Sequence, residues 1–247
     1  MANLTQFLGL TASTGASSLT VFPADRGDSV QNGGRCCNYI IDGSTTRVNV
    51  ELWGGGGDGN GACCCQWPYA MPAPGQYVTK TFTVVSGDSL TICAAGSGCC
   101  SPNCCGTQGL PSYVNKNGST QAYAYGGHGG CALCFYKNFN CTGLCHPGCT
   151  RRDAGTGDLV YCTYAGMSAT HSFCATGHFE TAAGSPKYSQ NMRIGISSCS
   201  GSWTNNGCCR LCNHFPGGGG GGGSSCGGPC CWGGWGAGGM VILTFYG

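Results

Sequence analysis

Cysteine is the residue type in this sequence with the greatest capacity for chemistry. There are 24 cysteines among 247 residues, and many are direct neighbours. Neighbouring side chains of an extended chain point to opposite sides. Each such pair can therefore bridge to two different segments, and the even total allows every cysteine to enter a disulfide. The runs are Cys36-Cys37, Cys63-Cys64-Cys65, Cys99-Cys100, Cys104-Cys105, Cys208-Cys209 and Cys230-Cys231.

Thiolates also bind metals, and some spacings fit that alternative. Two Cys-x-x-Cys pairs have the gap of zinc sites, namely Cys131 with Cys134 and Cys209 with Cys212. A further series of cysteines at intervals of four residues includes a histidine, and it comprises Cys141, Cys145, His146 and Cys149. Four thiolates also hold iron–sulfur clusters. Because cysteine is so frequent here, such gaps arise often by chance. The sequence therefore favours disulfides, with zinc or an iron–sulfur cluster as alternatives and no other cofactor expected. The candidate disulfide or metal residues are Cys36, Cys37, Cys63, Cys64, Cys65, Cys99, Cys100, Cys104, Cys105, Cys131, Cys134, Cys141, Cys145, Cys149, Cys208, Cys209, Cys212, Cys226, Cys230 and Cys231.

Catalytic groups are not arranged in any pattern that indicates an enzyme. The nine acidic residues are scattered singly, and neither Glu51 in a strand nor Asp88 in a turn resembles a glycosidase carboxylate. With cysteine this frequent, a cysteine close to a histidine is expected by chance and does not indicate a catalytic Cys–His pair. The glycine runs lack the Gly-Lys-Ser/Thr ending of a phosphate-binding loop. We therefore predict a protein without catalytic residues.

Aromatic residues are the candidates for binding. Tyrosine and tryptophan on loops offer a large contact area at a low cost in conformational entropy. Most aromatics between the predicted strands are expected to form the core of an irregular region. A minority is predicted to be displayed for receptor binding, and this group comprises Tyr123, Tyr125, Tyr136 and Trp203.

The composition excludes several classes of protein. Only 8% of the residues are charged and the net charge is +2, so the basic patch of a nucleic-acid-binding protein is not expected. No apolar run reaches the length of a membrane span, and the start of the chain lacks the pattern of a signal peptide. Abundant aromatics argue against disorder, and the 48 glycines keep no three-residue period, which argues against collagen.

Regular alternation predicts strands near the two ends of the chain and in one early stretch. We predict strands at 18–22, 76–84, 89–93 and 239–246, and a hairpin of 38–42 with 45–53. Between about 94 and 238 the periodicity is lost and glycine is too frequent for helices. Glycine-rich segments can pack there as polyproline-II helices at close spacing, because no Cβ intervenes. Disulfides or metals would tie these segments together.

The order of these motifs is similar to that of a known family. A strand at 48–53 runs into Gly54–Gly57, Pro74-Gly75 precedes the next strand, and 236–242 closes the chain after a long glycine-rich excursion. This order resembles the glycine-rich domain of tailed-phage tail fibres, adhesins and related virion appendage proteins, over about 45–95 and 235–247. The resemblance implies a small β-sandwich completed by the last strand. It also implies that the excursion packs as loops or polyglycine helices. Members of that family are not rich in cysteine.

We therefore predict an all-β single domain, 1–247. A β-sandwich or jelly-roll-like unit would comprise about 18–95 and 236–247, with a Gly/Cys-rich insertion at about 96–235. The resemblance implies a non-enzymatic structural protein of a phage virion, on a tail fibre, tail or capsid, acting as a receptor-binding tip or a decoration protein.

Its expected partners are other virion proteins, a host surface receptor and further copies of itself in a trimer or ring. Nucleic acid and membrane insertion are not expected. Synthesis in the host cytoplasm without a signal peptide, followed by oxidation after lysis, would reconcile the cysteines with a missing export signal. A metal-binding protein and an ice-binding polyglycine protein are the alternatives.

Overall fold

The computed structural model describes part of the chain as β-strands and extended segments. The described residues are 17–21, 34–58, 66–70, 73–96, 106–129, 131–134, 155–161, 178–181, 192–195, 197–198, 217, 223–224 and 236–247. No helix occurs in these ranges, and accordingly none of them contains a helix that could span a membrane. The predicted all-β class is confirmed for this part of the chain.

The strands are numbered in chain order. They are β1 (Ser17–Val21), β2 (Arg35–Ile40), β3 (Arg47–Trp53), β4 (Gln66–Ala70), β5 (Tyr77–Thr83), β6 (Ser89–Ala94), β7 (Ser112–Lys116), β8 (Ser119–Ala124), β9 (Cys131–Cys134), β10 (Leu159–Tyr161), β11 (His178–Thr181), β12 (Met192–Gly195), β13 (Ser197–Ser198), β14 (Gly223–Ser224) and β15 (Met240–Tyr246). Three small two-stranded sheets pair β4 with β9, β11 with β12, and β13 with β14.

A five-stranded antiparallel sheet contains the final strand in its interior. Its order is β1-β15-β3-β5-β10, so β15 is bonded on both sides. The near-continuous apolar sequence of β15 suits that central place. In β3 the predicted alternation is confirmed, because Val48, Val50 and Leu52 are fully buried whereas Asn49 and Glu51 are not.

A four-stranded antiparallel sheet, β2-β6-β7-β8, forms the second layer. The predicted hairpin of 38–42 with 45–53 is wrong, because β2 and β3 belong to different sheets. Between them the Asp42 carboxylate accepts hydrogen bonds from the Ser44 N–H and hydroxyl and from the Thr45 hydroxyl. This local network shapes a turn that carries the chain from one layer to the other.

Regular structure also occurs where the sequence predicted none. β7 and β8 lie within 96–235 and form a hairpin. Its turn is Asn117-Gly118, with φ values of 49° and 81°. Both residues are left-handed, as the two-residue turn that matches strand twist requires.

One hydrophobic core lies between the two sheets. Val50, Val78 and Leu243 from the larger sheet belong to the same buried cluster as Leu90 and Ile92 from the smaller one. A buried hydroxyl adds a polar link between the layers. Ser112 Oγ in β7 donates to the Trp53 carbonyl of β3 at 2.6 Å and accepts from the Ala95 N–H at 2.9 Å.

The strands give the paired sheets two distinct ends. At one end, which we call the turn pole, lie the turns 42–45, 85–88 and 117–118. Ser17 pairs there with Phe245, and the Tyr246 carbonyl accepts from the Thr46 N–H. At the other end, the glycine pole, the strands run into glycine-rich segments.

Candidate functional site

A bundle of extended glycine-rich segments covers the glycine pole. Its central segment is 54–58, which continues β3. The N–H groups of Gly54 and Gly57 donate to the segment 73–76, and those of Gly55 and Asp58 donate to the segment 107–110, while that of Gly56 donates to Ala237. N–H groups three residues apart in the central segment therefore donate to the same neighbouring segment. Three residues per turn is the period of the polyproline-II helix, whose backbone groups all point outward.

Further segments extend this glycine bundle, which we define as 54–58, 73–76, 106–110, 125–129, 217 and 236–239. The Gly109 N–H donates to Gly127, and the Gly127 N–H donates to Gly55. Gly217 links two neighbours, donating to Gly238 and accepting from Gly75. The predicted polyglycine packing is therefore present. It is built chiefly from short segments at strand ends, of which 54–58, 73–76 and 236–239 lie outside the predicted insertion.

At several glycines of the bundle, the neighbouring backbone approaches too closely for a side chain. A Cβ added to Gly57 would lie 1.9 Å from the His128 carbonyl oxygen, and one added to Gly126 would lie 1.9 Å from that of Gly109. The opposing atoms belong to the main chain and cannot rotate away. Glycine at these positions is therefore a packing requirement.

One carboxylate is buried at the end of the central segment. Asp58 is only 1% exposed, and its Oδ1 accepts from the Gly236 N–H at 2.9 Å. Its Oδ2 accepts from the Thr107 hydroxyl. Asp58 thereby joins three segments of the bundle that are far apart in sequence.

Cys36 and Cys93 are the cysteines whose side chains the structure brings together. They are directly opposite in β2 and β6, and their sulfur atoms are 1.99 Å apart. Cys37 is a free, half-buried thiol that packs against the core. Burial raises the pKa of the Cys37 thiol, and the positive charge of Arg35 opposes that rise. The predicted opposite orientation of vicinal cysteines is thus confirmed for this pair.

Most of the other predicted cysteine sites lie outside the described residues. Cys131 and Cys134 bound the extended strand β9, and the rest lie outside the described residues: Cys63, Cys64, Cys65, Cys99, Cys100, Cys104, Cys105, Cys141, Cys145, Cys149, Cys208, Cys209, Cys212, Cys226, Cys230 and Cys231. Among the described side chains, no group of three metal-ligating residues occurs.

Half of the 24 cysteines lie, in the sequence, between described residues of the glycine pole. The stretches of sequence between Asp58 and Ala73, between Gly96 and Gly106, and between Gly129 and Gly155 each begin and end at the glycine pole. Backbone pairing of β4 with β9 joins the first of these stretches to the third. In the described strands of the two main sheets, the cysteines are Cys36 and Cys37 in β2 and Cys93 in β6.

Two of the predicted binding aromatics lie on the outer face of the four-stranded sheet. Tyr123 pairs with Tyr113 across β7 and β8, with ring centroids 6.1 Å apart and planes 13° from parallel. The Tyr125 ring meets the Tyr123 ring edge-on at 4.6 Å. Tyr136 and Trp203 lie outside the described residues. Tyr113 was not predicted, although alternation before Asn117-Gly118 is a signal that could have found it.

The turn pole is held by carboxylates with lowered pKa values. Asp88 Oδ2 accepts from the Val85 N–H at 2.9 Å, and its Oδ1 accepts from Asn117 Nδ2 at 2.7 Å. These hydrogen bonds, with the nearby Lys116 ammonium, lower the pKa of Asp88. Hydrogen bonds from the Thr45 and Ser44 side chains and N–H groups likewise lower the pKa of Asp42.

No model of a known protein family matches the sequence, and no curated protein matches it either. The functional proposal therefore rests on the residues of this chain.

Proposed function

We propose that this chain is a non-enzymatic structural protein of a phage virion, displayed on a tail fibre, tail or capsid. The observation that carries the proposal is the polarity of the β unit. Ser17, the first residue of β1, and Gly247, which follows β15, lie at the turn pole, whereas the glycine bundle lies at the opposite pole. A protein held through its turn pole would present the glycine pole outward.

This polarity favours a receptor-binding tip over a decoration protein. A tip needs one end for attachment and another for contact with the host. Loops anchored on a rigid scaffold are the usual carriers of binding residues. The end of the four-stranded sheet beside the glycine pole carries Tyr113, Tyr123 and Tyr125. Tyrosine is one of the residue types that contribute most to binding energy at interfaces.

The chemistry of the bundle suits a particle outside the cell. Apart from the buried Asp58 carboxylate, its segments are joined by backbone hydrogen bonds between uncharged groups, and salt screens only charge interactions. Disulfides such as Cys36–Cys93 persist in oxidising surroundings. Oxidation after host lysis would provide them to a protein made in a reducing cytoplasm. Other virion proteins, a host surface receptor and further copies in a trimer or ring are the partners proposed.

Association with particles is the direct test. Virus particles would be purified on a density gradient from a culture or sample whose nucleic acid encodes the chain. Each fraction would then be analysed by peptide mass spectrometry. We expect peptides of this chain to follow the major capsid protein through the gradient and to remain after a high-salt wash. A cytoplasmic host protein serves as the control. Peptides found only in the soluble fractions would contradict the proposal.

A further inference from the structure

A row of side chains crosses the outer face of the four-stranded sheet beside the glycine pole. Cys36, Cys93, Tyr113 and Tyr123 lie opposite each other in successive strands. We propose that Tyr113, Tyr123 and Tyr125, which we call the tyrosine platform, bind a neutral saccharide. The proposal rests on the proposed function, because it names the chemistry of the host receptor that the tip would contact.

The platform points away from the hydrophobic core. Val114 and Ala122, the alternate residues of the same two strands, are fully buried in the core. Tyr113 and Tyr123 are half-buried, with rings nearly parallel, and the disulfide of Cys93 borders Tyr113 in the register. Aromatic faces carry negative charge density. They therefore attract the weakly positive C–H groups on one face of a pyranose ring.

Polar groups for sugar hydroxyls lie in the adjacent row of the same sheet. Asn115 follows Tyr113 by two residues and pairs with Thr91, whose hydroxyl donates to Asn38 Oδ1 at 3.0 Å. The Oδ1 atom of Asn115 is buried and accepts no hydrogen bond from the described residues. A buried acceptor without a donor costs free energy, and a saccharide hydroxyl is a donor of suitable size.

The charges around the platform favour a neutral ligand. Its two rows consist of tyrosine, asparagine, threonine and cysteine. The charged residues next to these rows in the strand sequences are Arg35 beside Cys36 and Lys116 beside Asn115, and Lys116 is already paired with Asp88. A sulfated or sialylated glycan would require more than one cation for pairing. A neutral hexose or N-acetylhexosamine requires only aromatic faces and hydrogen-bonding groups.

The test is calorimetric titration of the intact, oxidised chain with neutral saccharides. The probes are oligomers of glucose, galactose, mannose and N-acetylglucosamine. We expect at least one of them to bind, and Tyr113→Ala to weaken that binding by about tenfold or more. Tyr113→Phe should retain it because the ring remains, and Asn115→Ala should weaken it because the acceptor is lost. Near-ultraviolet circular dichroism checks the fold of each variant.

Tyr246→Ala is the matched control. Tyr246 lies on the outer face of the other sheet at the turn pole, where its ring contacts the Arg47 guanidinium. Its removal should leave saccharide binding unchanged. Absence of binding by the wild-type chain, or equal loss in Tyr113→Ala and Tyr246→Ala, would overturn the saccharide proposal. Particle association is measured independently, so a chain that travels with virions but binds no saccharide refutes only this inference.

Discussion

At the scale of single residues, the glycines of the bundle decide whether the glycine pole can form. Gly57→Ala would place a methyl group 1.9 Å from the His128 carbonyl oxygen. Either the central segment or its neighbour must then move, and hydrogen bonds of both are lost. Overpacking in well-packed sites costs about 1–3 kcal/mol and occasionally more. We expect a loss at the upper end of this range, about 3 kcal/mol, measured by urea unfolding.

Gly43→Ala provides the control for the same chemical change. Gly43 lies in the exposed turn after β2, and a Cβ there would meet only the Ser86 hydroxyl at 3.7 Å. Alanine at a compatible position stabilises by about 0.4–1 kcal/mol because it restricts the unfolded chain. Similar stabilities of the two variants would show that the bundle does not exclude side chains.

At the scale of elements, the Cys36–Cys93 disulfide fastens an edge strand. Among the strands that the structure describes, β2 is bonded to β6 alone, and the two cysteines are separated by 57 residues. Closing a loop of that length stabilises by up to about 4 kcal/mol. We expect Cys36→Ala with Cys93→Ala to lower the free energy of unfolding by an amount approaching this value. The amides of β2 should also exchange faster than those of β7.

Cys37→Ala tests whether the effect belongs to the disulfide. This change removes a half-buried thiol from the same strand and should cost about 1 kcal/mol or less. A loss as large as that of the double variant would assign the effect to core packing.

Asp88 connects two turns, those at 85–88 and 117–118, and makes the turn pole sensitive to acid. Its folded pKa is lowered, whereas the unfolded value is about 3.9. The ionised carboxylate therefore stabilises the fold fully above about pH 4, and this contribution is lost as pH falls through the folded pKa. We expect Asp88→Asn to melt below the wild type at pH 7 and to converge with it near pH 2. A constant difference between pH 7 and pH 2 would refute the linkage.

Strands could be predicted from the sequence where their own residues carry the signal. β3 and β5 alternate, and β15 is an apolar run, so their limits were predicted to within about two residues. β7 and β8 were missed because frequent glycine and cysteine around them masked the alternation, although Asn117-Gly118 is a strong hairpin signal. The pairing of β2 with β6 could not be predicted from the sequence. Burial of apolar side chains in the core determines this pairing, and no local turn connects the two strands.

For the candidate site, only the type of packing could be predicted from the sequence. Polyglycine packing follows from composition, but its partners do not. The central segment 54–58 bonds to residues as distant as Ala237, and no local pattern encodes that contact. Among the aromatics, Tyr123 and Tyr125 were selected by residue type, whereas Tyr113 emerges only when the register of β7 with β8 is known.

At the scale of the whole molecule, the number of cysteines makes the oxidation state measurable in a single experiment. If the protein functions outside the cell, all 24 cysteines should be paired. Intact mass under denaturing, non-reducing conditions should then fall about 24 Da below the reduced sample, because each disulfide removes two hydrogens. Equal masses would favour metal-bound thiolates and would require metal analysis. Because Cys37 is a free thiol in the structure, peptide mapping of the oxidised sample should establish whether it acquires a partner.

The buried carboxylate of Asp58 links the central segment of the bundle to the residues that precede the last strand. Its bond to the Gly236 N–H joins residues 178 positions apart, and Gly236 leads directly into β15, the interior strand of the larger sheet. Hydrogen bonds to a charged group are worth about 1.5–3 kcal/mol each. We therefore expect Asp58→Ala to destabilise the protein by about 3 kcal/mol or more and to accelerate amide exchange in β15.

Asp158→Ala is the comparison variant for that measurement. Asp158 also accepts two hydrogen bonds, from Lys80 Nζ and the Thr81 N–H, but it is exposed beside the edge strand β10. Exposed pairs of this kind contribute little to stability, because solvent and salt screen them. If Asp58→Ala left β15 exchange as slow as Asp158→Ala does, the last strand would be held by its ladders with β1 and β3 alone. The larger sheet would then form independently of the glycine bundle.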